Sequence, residues 1–295
     1  MISSPSFANV AEKKNMNVYK ENNIPTHLPS IERDTHLILG DPFNNNSEET
    51  DYWAVLVGIN DYPGHSKDLP YSINEISSFK NALLNGENWQ SSHIKFLSDE
   101  NASREGIFEA LEWLDEQEDE NDVSVFYYIG HGSQNSSDNE YLSVYSSNIF
   151  DEELDEQFDN LEGRVVIILD CCHSGGFIEE LGQWRRVILT ACSKDETAYQ
   201  VEDLKSGIFG YFVNICLEKL TKTAEITFLF SWIGTVYYTM QLSEEYDEDY
   251  TMHPNIYDGC FGPVKIIKHN SLTPVSLKQL LPFQTRHNSS KIWKL

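Results

Sequence analysis

The sequence has 295 residues, 40% of them hydrophobic, which is enough to bury the core of one large domain or of two ordinary ones. Acidic residues outnumber basic ones by 47 to 21, and the formal net charge is −26, so nucleic acid and anionic membrane surfaces are disfavoured as partners because both bind basic patches. The charge favours basic substrates or divalent cations, although a solvated acidic surface is its commoner cause.

The cysteine content indicates a reducing environment. The chain has five cysteines, an odd number, and none of them has the spacing of zinc ligands. The residues after Met1 lack the basic start and the apolar core of a secretory signal. We therefore expect a cytoplasmic protein with free thiols.

Composition divides the sequence into three parts. Residues 1–50 are rich in Asn, Ser, Pro, Glu and Lys without sustained periodicity, which is typical of a flexible N-terminal extension with at most a short strand at 37–39. Residues 51–268 carry regular hydrophobic patterns and form the predicted folded domain. Residues 269–295 form a basic and polar C-terminal tail in which no pattern indicates a structure or a role.

The first half of the predicted domain alternates apolar runs with stretches of helical spacing. Ser103 precedes the second of these stretches and is a suitable N-cap. Short uncharged runs predict strands that are buried on both faces. The predicted order is strand 52–59, helix 71–84, strand 93–98, helix 104–116 and strand 123–129.

The second half continues the alternation. The predicted order is a small hairpin at 141–145, helix 151–161, strand 165–169, strand 186–191 and helix 207–220. The stretch 258–267 ends with an apolar run that predicts a sixth strand. Strands that alternate with helices in this way are typical of a doubly wound α/β sheet.

One stretch, residues 226–243, carries no charge and raises the question of a membrane span. It reaches only the lower limit of spanning length, contains several Ser, Thr and Gly residues, and is followed directly by acidic residues. We expect a core or interface helix with Thr227 as its N-cap. A membrane-anchored protein is the alternative.

Two of the predicted strands end in residues that can carry chemistry. The third strand runs into Gly130-His131-Gly132, and the fourth runs into Asp170-Cys171-Cys172. The carboxyl ends of parallel strands meet at one edge of a sheet, where such folds bind ligands. An imidazole beside a thiol activates it as a nucleophile, and glycine amides can approach a developing oxyanion closely. The alternative is a strand followed by a Gly-rich turn, with the cysteines as small buried hydrophobes.

These motifs resemble those of a known family. Tyr-Ile-Gly-His-Gly at 128–132 and Leu-Asp-Cys-Cys-His-Ser-Gly at 169–175 are similar to the catalytic His and Cys motifs of metacaspases and related caspase-like peptidases. The similarity extends to residues 53–62, 69–75 and 189–193 and covers about 52–267. The 41 positions between His131 and Cys172 are comparable with the spacing in caspases. The resemblance implies a caspase-like α/β fold, with a mostly parallel six-stranded sheet flanked by helices on both faces.

The resemblance also assigns roles to individual residues. It makes Cys172 the nucleophile and His131 the general base, with the amides of Gly132 and Cys172 as the oxyanion hole. Cys171 occupies a position where relatives often carry Ser, so we interpret it as structural. His173 follows the nucleophile directly, and we expect it to orient the loop rather than to act in catalysis.

Substrate preference follows from the same resemblance. In metacaspases the acid before the nucleophile and an acid in a Ser-x-Asn-Asp run select Arg or Lys. The corresponding residues here are Asp170, Ser72 and Glu75. Glu75 replaces the usual Asp, and its side chain is longer by one methylene. The alternative for Glu75 is an exposed helix residue without a role.

The sequence thus predicts a cysteine endopeptidase that hydrolyses peptide bonds after Arg or Lys in protein or peptide substrates. The alternative is a catalytically silent caspase-like module that acts as a binding scaffold. No cofactor is required by the motifs, although many metacaspases need calcium and the acidic runs at 115–122, 151–159 and 244–249 are dense enough to bind it. We expect no nucleic acid and no membrane as partner, and the sequence does not indicate the oligomeric state.

Overall fold

A computed structural model describes residues 50–137, 139–219, 222–268 and 290–295. The predicted extension, including the strand at 37–39, and most of the tail lie outside the described residues. The described part contains twelve strands: β1 (Tyr52–Gly58), β2 (Ile94–Ser98), β3 (Val123–Ile129), β4 (Gly132–Gln134), β5 (Glu140–Val144), β6 (Ser147–Phe150), β7 (Arg164–Asp170), β8 (Arg186–Thr190), β9 (Tyr199–Val201), β10 (Ser206–Gly207), β11 (Asn255–Asp258) and β12 (Ile292–Lys294).

Six α-helices accompany them in the described residues. They are α1 (Ser72–Leu84), α2 (Arg104–Gln117), α3 (Asp151–Phe158), α4 (Ile178–Leu181), α5 (Ile208–Lys219) and α6 (Ala224–Tyr246). The predicted N-cap of the second helix is confirmed, because the Ser103 side chain accepts a hydrogen bond of 3.1 Å from the Gly106 amide.

The central sheet has six strands in the order β11-β8-β7-β3-β1-β2. The five strands from β8 to β2 run parallel, and β11 pairs antiparallel with β8. Every residue of β1 and β3 is buried, as expected for strands covered on both faces. Helices α1, α5 and α6 pack as one group and α2, α3 and α4 as another against this sheet. The predicted mostly parallel α/β fold is confirmed.

The sixth strand is not where the apolar run predicts it. Residues 255–258 form β11, whereas Val264, Ile266 and Ile267 are fully buried in the hydrophobic core without joining the sheet. These three side chains bury apolar area through an irregular segment. Periodicity alone does not separate such a segment from a buried strand.

Two small sheets lie beyond the central one. The predicted hairpin is part of a three-stranded antiparallel sheet in the order β4-β5-β6, which continues the chain after β3. The second small sheet has the order β10-β9-β12 and joins the loop after β8 to residues 292–294. This second sheet brings part of the predicted tail against the folded domain.

The uncharged stretch belongs to α6, which is longer than predicted. Thr223 is its N-cap and accepts from the Ile226 amide, so the prediction of Thr227 as the cap is wrong. Thr227 lies one turn inside the helix, where its hydroxyl donates to the Thr223 carbonyl at 2.7 Å. Among the described helices, none combines the length and the apolar character that crossing a membrane requires.

Candidate active site

The two strand ends singled out by the sequence are neighbours. Strands β3 and β7 pair in parallel, and Ile129 is in register with Asp170. His131 and Cys172 each lie two residues beyond this pair, so both leave the carboxyl edge of the sheet at the same level. The prediction that the His and Cys motifs meet at one edge is confirmed by this register.

His131 is held by two hydrogen bonds. Its amide donates to the Tyr62 hydroxyl at 2.9 Å, and its ring Nε2 lies 2.8 Å from the Lys67 carbonyl oxygen. Burial lowers the pKa of His131 below its usual value, although hydrogen bonds to the backbone of Lys67 and Leu295 oppose the effect. A lowered pKa keeps the imidazole neutral near pH 7, the form that can accept a proton.

Cys172 is only 1% exposed. Its thiol contacts the backbone oxygen of Leu295 as a hydrogen-bond donor and lies 3.8 Å from the Ala198 carbonyl oxygen. Burial raises the pKa of the thiol, while the nearby ammonium of Lys294 lowers it in part. Burial therefore favours the protonated form of the thiol in this arrangement. His131 and Cys172 both reach the backbone of the same residue, Leu295.

Gly132 allows the two strand ends to approach. A Cβ atom at this position would lie 2.4 Å from the carbonyl oxygen of Cys172 and 2.7 Å from the sulfur of Cys171. Because real Cβ atoms do not come so close, any other residue would push the strands apart. Cys171 is itself fully buried, and burial raises the pKa of its thiol well above the usual range.

The two acids predicted for substrate binding lie side by side. Glu75 is 1% exposed and Asp170 is 0% exposed, so the alternative of an exposed Glu75 is wrong. The carboxylate of Glu75 accepts from the Tyr127 hydroxyl at 2.5 Å, from the Ser206 hydroxyl at 2.8 Å and from the Gly207 amide at 2.6 Å. This density of donors is what a buried carboxylate requires.

The pKa values of both acids are raised. Burial raises the pKa of Glu75 to about 7, and burial together with the neighbouring charge of Glu75 raises the pKa of Asp170. Two carboxylates that share a buried site cannot both ionise easily. Within the described part of the chain, Oδ1 of Asp170 receives no hydrogen bond, whereas Oδ2 accepts from the Gly210 amide at 2.8 Å.

A family model described as the caspase domain matches residues 51–255, which is more than half of the chain. The chain belongs to the caspase-domain family.

Metacaspases are among the curated relatives of this caspase domain. The chain is 27% identical over 192 residues to metacaspase-8 of Arabidopsis thaliana, a match that covers 57% of this chain and 49% of the relative. It is 31% identical over 144 residues to metacaspase-4 of the same plant, with 43% and 34% coverage. The chain thus spans about half the length of these relatives or less.

Solved structures support the fold. Caspase-1 from Spodoptera frugiperda matches with a TM-score of 0.56 at 10% identity, covering 76% of this chain and 94% of the other. A protein from Geobacter sulfurreducens matches with a TM-score of 0.55 at 14% identity, covering 77% and 100%. At these identities the similarity shows the shared fold alone.

Two further predicted residues of the caspase domain have clear surroundings. The Ser72 hydroxyl is buried and accepts from the side chain of Gln200 in β9 at 2.9 Å, so it links α1 to this strand. His173 adopts a left-handed backbone with φ of 59°, and its Nδ1 lies 2.7 Å from the Lys194 carbonyl oxygen. Its amide donates to the Glu196 carbonyl at 3.0 Å. These bonds fix His173 within the loop.

The sequence did not reveal β9 or its partner β12 as parts of the site. Trp293 in β12 pairs with Gln200 in β9, and the Leu295 amide donates to the Ala198 carbonyl at 3.0 Å. Both strands have only three residues, which is too short for a periodic signal. A slight indication was available in the adjacent apolar residues Ile292 and Trp293.

The residues that offer carboxylates fit a calcium ion poorly. Among the described residues, the one group whose ligand atoms lie within 4.8 Å of one another is Asp61, His65 and Asp68, all exposed. It includes an imidazole and only two carboxylates, whereas calcium takes six to eight oxygen ligands. In the acidic runs, carboxylates such as those of Glu118 and Asp155 bond to the protein itself. Calcium binding stays a prediction without a site.

Proposed function

We propose that this caspase domain is a cysteine endopeptidase that cleaves after Arg or Lys, with Cys172 as nucleophile and His131 as general base. The observation that carries the proposal is the register of β3 and β7, which sets both residues at the same level of one sheet edge. The shared contact of His131 and Cys172 with the Leu295 backbone supports it, because both side chains reach the backbone of one residue. The metacaspase relatives support the same reaction class.

In the proposed reaction, His131 accepts and then donates a proton in each of two stages. The imidazole accepts the Cys172 proton, and the sulfur attacks the carbonyl carbon of the substrate to form a tetrahedral oxyanion. The protonated imidazole then donates to the leaving amine as the C–N bond breaks, which leaves a thioester. Water, activated by the same imidazole, hydrolyses the thioester and restores the thiol. The lowered pKa of His131 suits the first step.

The oxyanion is the point at which the backbone contributes most. Gly132 lies against Cys172 closely enough that no side chain would fit between them. We propose the amides of these two residues as the oxyanion hole. Loss of one such donor typically costs about 10²- to 10³-fold in kcat.

The preference for a basic residue rests on the acidic pair. A guanidinium or ammonium that reaches Asp170 would supply the donor that its Oδ1 lacks and would stabilise both carboxylates in their charged form. Glu75 is fixed by three donors, so it contributes charge from a defined position. The acidic charge of the whole molecule would also attract basic peptides.

A substrate panel tests the proposal. Fluorogenic peptides with Arg, Lys, Asp or Leu before the cleaved bond are incubated with the protein, with and without calcium. We expect cleavage after Arg and Lys, and loss of activity in Cys172→Ala. Cys171→Ser is the matched control, since it changes the neighbouring thiol and is expected to stay active. Cleavage after Asp would refute the role of the acidic pair and leave the Cys–His proposal intact.

The rival function is a silent caspase-like module that binds partners. The observation in its favour is the burial of Cys172 beneath Leu295, which leaves the thiol inaccessible to a peptide in this arrangement. The rival predicts no cleavage of any peptide even after residues 290–295 are removed. Turnover by that shortened protein would exclude it.

We propose a cytoplasmic location on the basis of the thiols. All five cysteines are free, and four of them are buried. Free thiols persist in reducing compartments. Retention of activity in a glutathione buffer at cytosolic potential, with loss on oxidation, would agree with this location.

A further inference from the structure

Residues 290–295, called here the 290–295 segment, lie along the edge of the second small sheet. Its residues Ile292 to Lys294 pair antiparallel with β9. Additional bonds hold its beginning: the Ser290 carbonyl accepts from the Tyr246 hydroxyl at 3.0 Å, and the Lys291 carbonyl accepts from the Glu202 amide at 3.0 Å. The Trp293 ring packs edge-on against Tyr71, with centroids 5.4 Å apart.

The 290–295 segment ends on the reacting groups. The Leu295 amide bonds to the Ala198 carbonyl, and the Leu295 backbone oxygen takes the hydrogen bond of the Cys172 thiol. A hydrogen bond to the Leu295 backbone also acts on the ring of His131. The proposed nucleophile and the proposed base are therefore both engaged by the backbone of one residue, and Leu295 itself is 2% exposed.

This arrangement is that of an extended peptide bound by strand addition. Backbone pairing with an exposed strand gives affinity, and alternate side chains enter pockets. The residue whose carbonyl meets the thiol is Leu295, an aliphatic residue. Its side chain offers no donor to Asp170, whose Oδ1 receives no hydrogen bond in the described chain. The 290–295 segment thus pairs with β9 as an extended peptide substrate would but lacks the basic side chain expected of one.

We propose that the 290–295 segment is an intramolecular pseudosubstrate, which adds a strand to β9 and covers Cys172, so that peptide hydrolysis requires its displacement. The consequence for hydrolysis rests on the function proposed above. The covering of the thiol does not rest on the proposed function, because it follows from the contacts just described. The two can therefore be tested by different measurements.

The hold of the 290–295 segment on the site is limited. It consists of one short strand pairing, a few additional backbone bonds and one aromatic contact. A tethered segment acts at an effective concentration of about millimolar, so even a weak peptide occupies its site when it belongs to the same chain. A basic peptide, which adds contacts to Asp170, can compete with it. We expect its removal to raise accessibility and activity by about 10- to 100-fold.

The first experiment measures the covering alone. The full chain, a variant lacking residues 290–295 and the full-length variant Trp293→Ala are treated with iodoacetamide, and alkylation of each cysteine is followed by peptide mass spectrometry. We expect Cys172 to react about 10-fold faster or more in the shortened protein and several-fold faster in Trp293→Ala. Half-buried Cys260 is the internal control and is expected to react at one rate in all proteins.

A matched variant controls for loss of a tryptophan. Trp184→Ala removes the same side chain from a surface position, where Trp184 is 56% exposed and packs edge-on against Phe261. We expect it to leave the alkylation rate of Cys172 unchanged. Equal rates in the full chain, in Trp293→Ala and in the shortened protein would overturn the proposal, whatever the enzymatic activity.

The second experiment measures the consequence. Cleavage of the Arg peptide is compared in the same proteins, and a synthetic peptide of sequence Ser-Lys-Ile-Trp-Lys-Leu is added to the shortened one. We expect higher kcat/KM in the shortened protein and competitive inhibition by the peptide, but not by a scrambled one. Faster alkylation with unchanged cleavage in an active protein would overturn the regulatory role. No cleavage by any variant would refute the proposed function. The alkylation rates would then still test whether the 290–295 segment covers Cys172.

Discussion

At the scale of single residues, burial acts in opposite directions on the two groups that are proposed to react. It lowers the pKa of His131 and raises that of Cys172. A neutral imidazole can accept a proton and a neutral thiol can donate one, as the proposed reaction requires. Burial raises the pKa of the neighbouring Cys171 thiol as well.

The lowered pKa of His131 predicts how kcat/KM depends on pH on the acidic side. Because its pKa lies below the usual 6.5, the imidazole stays neutral at lower pH than a free histidine. We expect kcat/KM of the protein lacking residues 290–295 to hold its value down to below pH 6.5 and to fall at more acidic pH. A profile of kcat/KM for the Arg peptide between about pH 4.5 and about pH 8 measures this dependence. Loss of activity well above pH 6.5 would contradict the assignment.

The acidic pair gives a second prediction at this scale. Glu75→Gln keeps the size of the side chain but removes its charge, so we expect kcat/KM for the Arg peptide to fall by about 10- to 100-fold, the range for a lost charged hydrogen bond. The control is Glu118→Gln, which changes another buried acid with a pKa near 7 that binds the Gly163 amide. Equal losses in both variants would mean that Glu75 acts through stability alone.

At the scale of elements, the strand that follows the nucleophile loop is tied to a helix by a buried cation. Arg186, the first residue of β8, is 3% exposed and forms ion pairs with Asp155 and Asp159, which lie in α3 and directly after it. A buried arginine without a partner is costly, because it has lost its water. This contact therefore fixes α3 against the sheet at the edge away from β2.

The two ion pairs of Arg186 are expected to contribute unequally to the free energy of unfolding. The side chain of Asp155 is 13% exposed and that of Asp159 is 53% exposed. Asp155→Ala should lower the free energy of unfolding by about 2–3 kcal/mol, since the buried pair is broken, and Asp159→Ala by less than about 1 kcal/mol. Urea denaturation measures both values. Equal effects would show that burial does not set the strength of these ion pairs.

At the scale of the whole molecule, the net charge and the acidic pair act on stability in the same direction. The folded protein holds Glu75 with a pKa of about 7, whereas the unfolded chain has the ordinary 4.5. Between these values the folded state binds more protons than the unfolded state, so stability falls as pH rises. Self-repulsion of a chain with net charge −26 also increases with pH.

This linkage predicts a thermal stability that is highest in mildly acidic solution. We expect the melting temperature to decrease from about pH 5 to about pH 8, because the contribution of Glu75 is fully present below 4.5 and is lost through about 7. Calorimetry over this range measures the slope. Glu75→Gln should flatten it, while the contribution of Glu118, whose pKa is also about 7, remains. A slope unchanged by the substitution would contradict the raised pKa.

Much of the fold could be predicted from local pattern. The buried strands, the helices around them and the Ser103 cap lie where apolar runs, helical spacing and cap chemistry indicate. The errors occur where a local signal has two solutions. Thr223 and Thr227 are both suitable caps, and packing selects the first. The run that contains Val264 is buried, but the position of β11 against β8 decides which segment completes the sheet.

By itself, the sequence determined the fold class, the edge at which chemistry occurs and the His131 and Cys172 candidates, because strand-end motifs are contiguous in the chain. Only the tertiary structure decided that Glu75 and Asp170 share one buried site and that Leu295 lies on the thiol. Both contacts join residues about a hundred positions apart, 95 and 123. Contacts at such separations depend on how helices and strands pack, and no local pattern records them.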